Sequence, residues 1–405
     1  MSDLLLSFYG DDFTGSTDAM ESLARSGLRT VLFTSPPTRE QLAKYDGLRA
    51  FGVAGMTRSM PPDEMERTLR PAFAAIRACG APIVHYKVCS TFDSSPTVGS
   101  IGRAIDIGAE LFDASCVPVV VGAPALGRYC VFGNLFARCG AESEPYRLDR
   151  HPSMSHHPTT PMAEADIRLH LAKQTDKAIG LIDVLALAGN PGKLSDIWAP
   201  VVLIDLLDEA QLETVGRLIA PASFVVGSSG VESALAAFWQ TEVTTFAPVA
   251  PAAPILVLCG SCSPVTGRQI AHAEERGFAS LSFDARDVRE AAIKSLREGR
   301  SAMIHTLLGS KHLDVGATLG RLARDVIEAT RVKRVGVAGG DTSGQIARAL
   351  GIESLEMIGE LTRGSPLCRA TAPGSPADGI EITFKGGQIG KVDFFETVQS
   401  GNSHA

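Results

Sequence analysis

Short apolar runs alternate with amphipathic stretches along the first 240 residues of the chain. Runs at 4–8, 30–33, 49–53, 83–88, 117–121, 179–182, 201–204 and 224–226 are apolar almost throughout, so no polar face alternates with them. That pattern predicts strands buried on both faces. Between several of them, 62–78, 98–112 and 209–219 place apolar residues at helical spacing. Strands separated by helices of that length predict βαβ units and a mainly parallel sheet.

The periodicity stops at 241–254, TEVTTFAPVAPAAP, which reads as a linker. It restarts with predicted strands at 255–258, 279–283, 302–305 and 334–338, and helices at 264–276, 285–297, 315–330 and 343–350. The expected fold class is therefore α/β: two α/β domains with mainly parallel sheets and an interdomain active-site cleft. The boundaries fall at 1–240, a linker at 241–254, and 255–405. A length of 405 residues agrees with two cores rather than one.

Composition narrows the function. A formal charge of −7 argues against nucleic-acid binding, because such surfaces are basic. Neither a basic n-region nor an apolar run of membrane-spanning length is seen, which predicts a cytoplasmic chain without membrane contact. The eight cysteines form no disulfide-like framework. The CxxC of Cys259 and Cys262 has no second pair at zinc spacing, and reduced thiols are the better expectation. Self-association is compatible with the pattern, which does not fix an oligomeric state.

Ligands of open α/β sheets collect at the C-terminal ends of strands. The first strand runs into GDDFTGSTD, bringing Asp11, Asp12, Thr14 and Asp18 ahead of a helix. The run 83–88 ends in KVCSTFDSS, with Lys87 beside the hydroxyls of Ser90 and Thr91. A cation among hydroxyls suits a small carboxylate or a polyol; an ion pair with Asp11 or Asp12 would also explain the lysine. Arg128, closing GAPALGR, offers a second anion clamp. The loop 151–162, HPSMSHHPTTPM, has the length of a site-shaping segment, and its histidines sit in no metal-ligand register.

In the second half, GGDTSG (Gly339–Gly344 by position) follows a predicted strand and opens a helix, where backbone amides and the helix dipole favour an anion. A glycine turn with an ordinary N-cap would use the same letters. GSCSPVT offers Ser261, Ser263 and Thr266 to phosphate oxygens, and KGGQIGK forms a third glycine turn at 385–391, which also suits a hairpin. Neither a Walker A motif nor a GxGxxG after a strand is present. That excludes a P-loop NTPase and disfavours a dinucleotide-dependent dehydrogenase.

Taken in order, GDDFTGSTD, KVCSTFDSS, TPM before EADIRLHL, GSCSPVT, GGDTSG and FKGGQIG resemble the four-carbon acid sugar kinases, over about residues 5–395. The resemblance implies ATP-dependent phosphorylation of the terminal hydroxyl of a tetronate-type acid. It assigns the sugar acid to the N-terminal domain and ATP to the C-terminal one. The implied ATP contacts are Ser261, Gly339, Gly340, Asp341, Thr342 and Gly387, with Ser263 beside them. The implied substrate contacts are Asp11, Asp12, Asp18, Lys87, Ser90 and Thr91. KVCSTFDSS is closer to members acting on 3-oxo-tetronates than to threonate and erythronate kinases, whose stretch reads more like KIDSTLRGN. The expected substrate is thus 3-oxo-tetronate, with branched 3-oxo-isoapionate or threonate and erythronate as alternatives. Asp12 is expected as base, although the doubled aspartate suits a Mg²⁺ site as well, and Asp341 as the Mg²⁺ ligand. Asp341 stands where relatives often carry Glu. The reading from another class is a sugar-acid-binding protein without catalysis.

Overall fold

A computed structural model describes residues 4–139, 143–157, 159–261, 263–306 and 315–401. Contacts divide the chain into two compact units. The first comprises Met1–Asp11, Ser22–Thr30 and Pro36–Thr244; the second comprises Asp12–Glu21, Val31–Ser35 and Thr245–Ala405. Two short pieces of the N-terminal sequence, 12–21 and 31–35, therefore cluster with the C-terminal half, an arrangement that a linear reading of the pattern does not contain.

The sheet of the first unit is parallel throughout. Its order is Ala50–Ala54, Leu6–Gly10, Ile83–Lys87, Phe224–Gly227, Val117–Val120, Val201–Ile204 and Ile179–Ile182. All but the last strand are buried along their whole length, in keeping with their mainly apolar sequences. From Leu6–Gly10 the chain goes first to one neighbour, Ala50–Ala54, and then to the other, Ile83–Lys87. The order reverses between Leu6–Gly10 and Ile83–Lys87, where an open sheet leaves room for a ligand.

The helices keep their apolar faces inward. Pro62–Cys79 starts on proline at N1 and stops at Gly80 with φ 86°, the expected asymmetry of helix ends. Ile101–Leu111 is capped by Ser100, whose hydroxyl accepts from Arg103 N. Phe73 packs on Phe112 and Phe224, and the rings of Phe112 and Phe224 stack 5.3 Å apart. Gly108 is required there: a Cβ would lie 2.1 Å from the Phe224 ring.

One element departs from the sequence expectation. Residues to which the pattern assigns no element form a three-stranded antiparallel sheet, Arg128–Val131, Asn134–Arg138 and Pro145–Arg147. Its first turn puts Phe132 and Gly133 both at positive φ, 50° and 78°, as a two-residue hairpin demands. The buried Asp205 carboxylate holds that turn by accepting from Phe132 N and, at 2.9 Å, Gly133 N. A non-glycine at the first turn position hid the hairpin from the sequence.

In the second unit, five parallel strands run Ala279–Ser282, Ala302–His305, Leu256–Cys259, Arg334–Ala338 and Glu381–Lys385. Three antiparallel strands extend it: Ser365–Thr371, Ser354–Thr362 and Thr30–Phe33. Here the order reverses between Leu256–Cys259 and Arg334–Ala338. The segment 241–254 has no regular element. It is nonetheless tied to the second unit, since Val249 is buried in its core and Arg334 donates to Ala250 O at 2.8 Å. The same buried guanidinium pairs with Glu381 at 2.6 Å and donates to Val398 O.

Candidate functional site

At the C-terminal end of the first unit's reversal point, Asp11 follows Leu6–Gly10 directly. Its amide donates to Lys87 O at 2.9 Å and its carbonyl accepts from Arg58 N at 3.0 Å. Gly10 and Lys87 are cross-strand partners, so the two motifs lie side by side on adjacent strands. Asp11 and Lys87 are both buried. The charge of Asp11 adds to burial in pushing the Tyr86 phenol upward, and Thr57 supports that phenol with a 2.9 Å hydrogen bond.

Lys87 Nζ donates to Val88 O at 3.2 Å. Two residues earlier on the same face, His85 is fixed through both ring nitrogens, by Glu232 at 2.8 Å and Gly227 O at 3.1 Å. The pair is fully buried and makes the strand beneath Lys87 a rigid platform. Ser90 and Thr91 lie in the loop that follows. Thr91 donates to Asp93 at 2.6 Å, and Phe92 sits at φ 57° with its ring fully buried. A bulky residue held in that region is strained, and such strain is retained where the surroundings over-determine it.

Arg128 opens the antiparallel hairpin and donates to Leu126 O. Its Nε is buried without a hydrogen-bond partner. A second buried donor lies nearby. His151 accepts at Nδ1 from Ser153 N and Met154 N, 3.1 and 3.2 Å, which puts the ring proton on Nε2. That nitrogen is also buried, beside the Arg138 backbone. Burial above all, with a smaller push from the Arg128 charge, holds His151 below the ordinary histidine range against a hydrogen bond to the Arg138 backbone that raises it. The sequence places this histidine in a site-shaping loop and out of any metal-ligand register; the position of its ring proton follows from the two amides that fix the tautomer.

Asp12 and Asp18 belong by contact to the second unit. Asp12 caps the helix Phe13–Arg25: its carboxylate accepts from Thr14 Oγ1 at 2.8 Å and Gly15 N at 2.9 Å, and its carbonyl from Ser16 N. Asp18 is half-buried further along that helix.

The three glycine turns converge. Leu256–Cys259, Arg334–Ala338 and Glu381–Lys385 are adjacent parallel strands, and each motif begins at its strand's C-terminal end. Gly260 N donates to Ala338 O at 2.9 Å, and Gly339 N to Lys385 O at 3.0 Å. A Cβ at Gly260 would lie 2.6 Å from Thr342 Cγ2. One at Gly387 would lie 2.6 Å from Ser261 Oγ and 3.0 Å from Ser263 Cβ. Gly339, at φ 138°, occupies backbone that favours glycine. Ser263 accepts from Val265 N and caps Pro264–Glu275, and Gly340 opens Gly340–Ala349 three residues earlier than the sequence predicts. Two helix N-termini and three turns with glycines where side chains would collide form a backbone-lined, anion-favouring cradle. The alternative hairpin reading of KGGQIGK is overturned: Glu381–Lys385 pairs in parallel with Arg334–Ala338, and helix Phe394–Ser400 comes next. Cys262 and the side chain of Asp341 lie outside the described residues.

No group of three or more His, Cys, Asp or Glu side chains among the described residues could hold a metal ion, and no described helix is long and apolar enough to cross a membrane.

Residues 6–235 match the family model described as a sugar-binding N-terminal domain, and 256–395 that of a nucleotide-binding C-terminal domain. The chain is 44% identical to 3-oxo-isoapionate kinase of Paraburkholderia graminis, over 98% of this chain and 94% of the relative. It is 30% identical to 3-oxo-tetronate kinase of Pseudomonas savastanoi pv. phaseolicola, over 96% of each. A solved structure from Salmonella typhimurium aligns over 98% of both chains with 27% identity and a TM-score of 0.79.

Proposed function

The chain belongs to the four-carbon acid sugar kinases, ATP-dependent enzymes with a sugar-binding N-terminal domain and a nucleotide-binding C-terminal domain, and from that premise we propose that it phosphorylates the terminal hydroxyl of a 3-oxo sugar acid. The observation carrying the nucleotide half is the convergence of the Gly260, Gly339 and Gly387 turns on one sheet end. A sensor without catalysis would not need such a phosphate cradle. Branched 3-oxo-isoapionate is the favoured substrate over linear 3-oxo-tetronate, because identity to a kinase named for the former is 44% against 30% for the latter.

In this reading Ser261, Ser263, Gly339, Gly340, Thr342 and Gly387 receive the ATP phosphates. Lys87 binds the carboxylate of the acid, with Arg128 as a second donor. Asp11 and Asp18 orient hydroxyls, as do Ser90 and Thr91. Asp12 accepts the proton of the attacking hydroxyl. Its carboxylate accepts from Thr14 Oγ1 and Gly15 N, and an ionised carboxylate offers about four acceptor sites. Phosphoryl transfer through a loose transition state asks more for positioning than for a strong base. A Mg²⁺ that travels with the triphosphate needs only one or two carboxylates from the protein. Asp341, in the first turn of Gly340–Ala349, would supply one. The ion would neutralise phosphate charge.

A coupled ADP-release assay on the full chain, with 3-oxo-isoapionate, 3-oxo-tetronates, threonate and erythronate as acceptors, tests the reading. The highest kcat/KM is expected with 3-oxo-isoapionate. A clear preference for 3-oxo-tetronate overturns the substrate assignment, and the absence of acceptor-dependent ADP release overturns the kinase role.

A further inference from the structure

Lys385 ends the strand Glu381–Lys385 and is completely buried. Its ammonium donates to Thr266 Oγ1 and to Gly386 O, both at 3.0 Å, and lies 5.7 Å from the centre of the Phe394 ring. Thr266 passes the contact on, donating to Gly387 O at 3.0 Å. Every one of these partners is neutral. No carboxylate among the described residues pairs with Lys385. The described titratable group facing it is Cys259, at the end of Leu256–Cys259, and burial pushes that thiol up to about 12, so it carries no charge. The other faces are covered by Thr266 of Pro264–Glu275 and Phe394 of Phe394–Ser400.

A buried ammonium without a counter-ion is costly, and proteins ordinarily pair it. This one stands at the foot of the KGGQIGK turn, between the strand that precedes it and the helix that GSCSPVT opens. No charge that would balance it lies among the described residues, whereas the ligand that the turns are shaped to receive carries one. We propose that Lys385 is the resident cation of the phosphate cradle, acting on the nucleotide phosphates and, through Thr266, holding the Gly387 turn in place. The proposal rests on the nucleotide reading above.

The charge state supplies a signature. Burial lowers the Lys385 ammonium from its ordinary value to about 8. Without nucleotide the group is mostly protonated at pH 7 and mostly neutral at pH 9. Phosphate beside it favours the ammonium, so binding at alkaline pH must draw a proton from buffer onto Nζ. If only the protonated state binds well, apparent affinity follows the protonated fraction and weakens about tenfold from pH 7 to pH 9.

Isothermal titration of the full chain with MgADP, at pH 7 and 9 in buffers of different ionisation enthalpy, tests this. The wild type should take up close to one proton per ADP at pH 9, little at pH 7, and lose affinity about tenfold. Lys385→Met should bind at least tenfold more weakly at pH 7 and show neither proton uptake nor pH slope. Lys385→Arg, whose charge does not titrate here, should bind without the slope. Wild-type binding without proton uptake and with equal affinity at both pH values overturns the proposal while leaving the nucleotide site standing, and needs no variant to fold. ADP binding by Lys385→Met within twofold of wild type also overturns it. Failure of the wild type to bind ADP at all would instead sink the nucleotide site itself.

Discussion

A single carboxylate at Asp12 has two jobs that can be separated. It terminates the backbone of Phe13–Arg25 by accepting Gly15 N, and in the proposed reaction it receives a proton. Asparagine caps a helix about as well as aspartate but cannot act as a base. Asp12→Asn should therefore melt within a degree or two of the wild type while kcat falls by roughly 10²–10⁴. Asp12→Ala should lose kcat to a similar extent and also about 1 kcal/mol of stability, seen as a lower melting temperature. Wild-type turnover by Asp12→Asn would remove the residue from proton transfer. At this scale the sequence disclosed residue types but not their partners. Asp11, Lys87 and the glycine turns could be found from their position after apolar runs. The tautomer of His151 and the neutral surroundings of Lys385 could not, since both depend on atoms from distant segments.

Among elements, the strand ends behave as the parallel pattern predicts, because a buried run followed by glycine and polar residues can do little else. The antiparallel pieces escaped, for a physical reason. Ser354–Thr362 and Ser365–Thr371 are joined through Gly364 at φ 79°, within a mixed sequence whose alternation is weak. The predicted start of Gly340–Ala349 was late because two glycines and an aspartate disguise its first turn. The turns also differ in what alanine would do. Gly387 is not at positive φ, and a Cβ there meets the movable Ser261 hydroxyl. Gly387→Ala should keep its melting temperature, raise the KM for ATP about tenfold or more, and leave the KM for the sugar acid unchanged. Gly339→Ala combines crowding with strained backbone, and should lose both ATP binding and about 1–3 kcal/mol of stability. Equal ATP kinetics for wild type and Gly387→Ala would argue that phosphates lie elsewhere.

On the scale of the whole molecule, the sequence suggests a cut at the 241–254 segment, but the second unit also draws on 12–21 and 31–35. Val31, Leu32 and Phe33 pair with Glu356, Leu355 and Ser354. The Phe13 ring lies 4.7 Å from that of Phe384, Glu21 accepts Gly364 N at 2.7 Å, and Thr34 donates to Ile352 O at 2.7 Å. A fragment spanning 245–405 would lose all of these and expose Ser354–Thr362 as an unpaired edge, a template for aggregation. One buried aromatic is worth about 1.5–3 kcal/mol and a hydrogen bond to a charged group a comparable amount, against a total stability of about 5–15 kcal/mol. The fragment should therefore be poorly soluble, or melt broadly and well below the full chain when followed by circular dichroism. Restoring 12–35 through a flexible N-terminal tether should recover much of the lost cooperativity. A soluble, sharply melting 245–405 fragment that binds ADP as the full chain does would show those contributions to be dispensable. The nucleotide half would then fold independently of the aspartate-bearing helix.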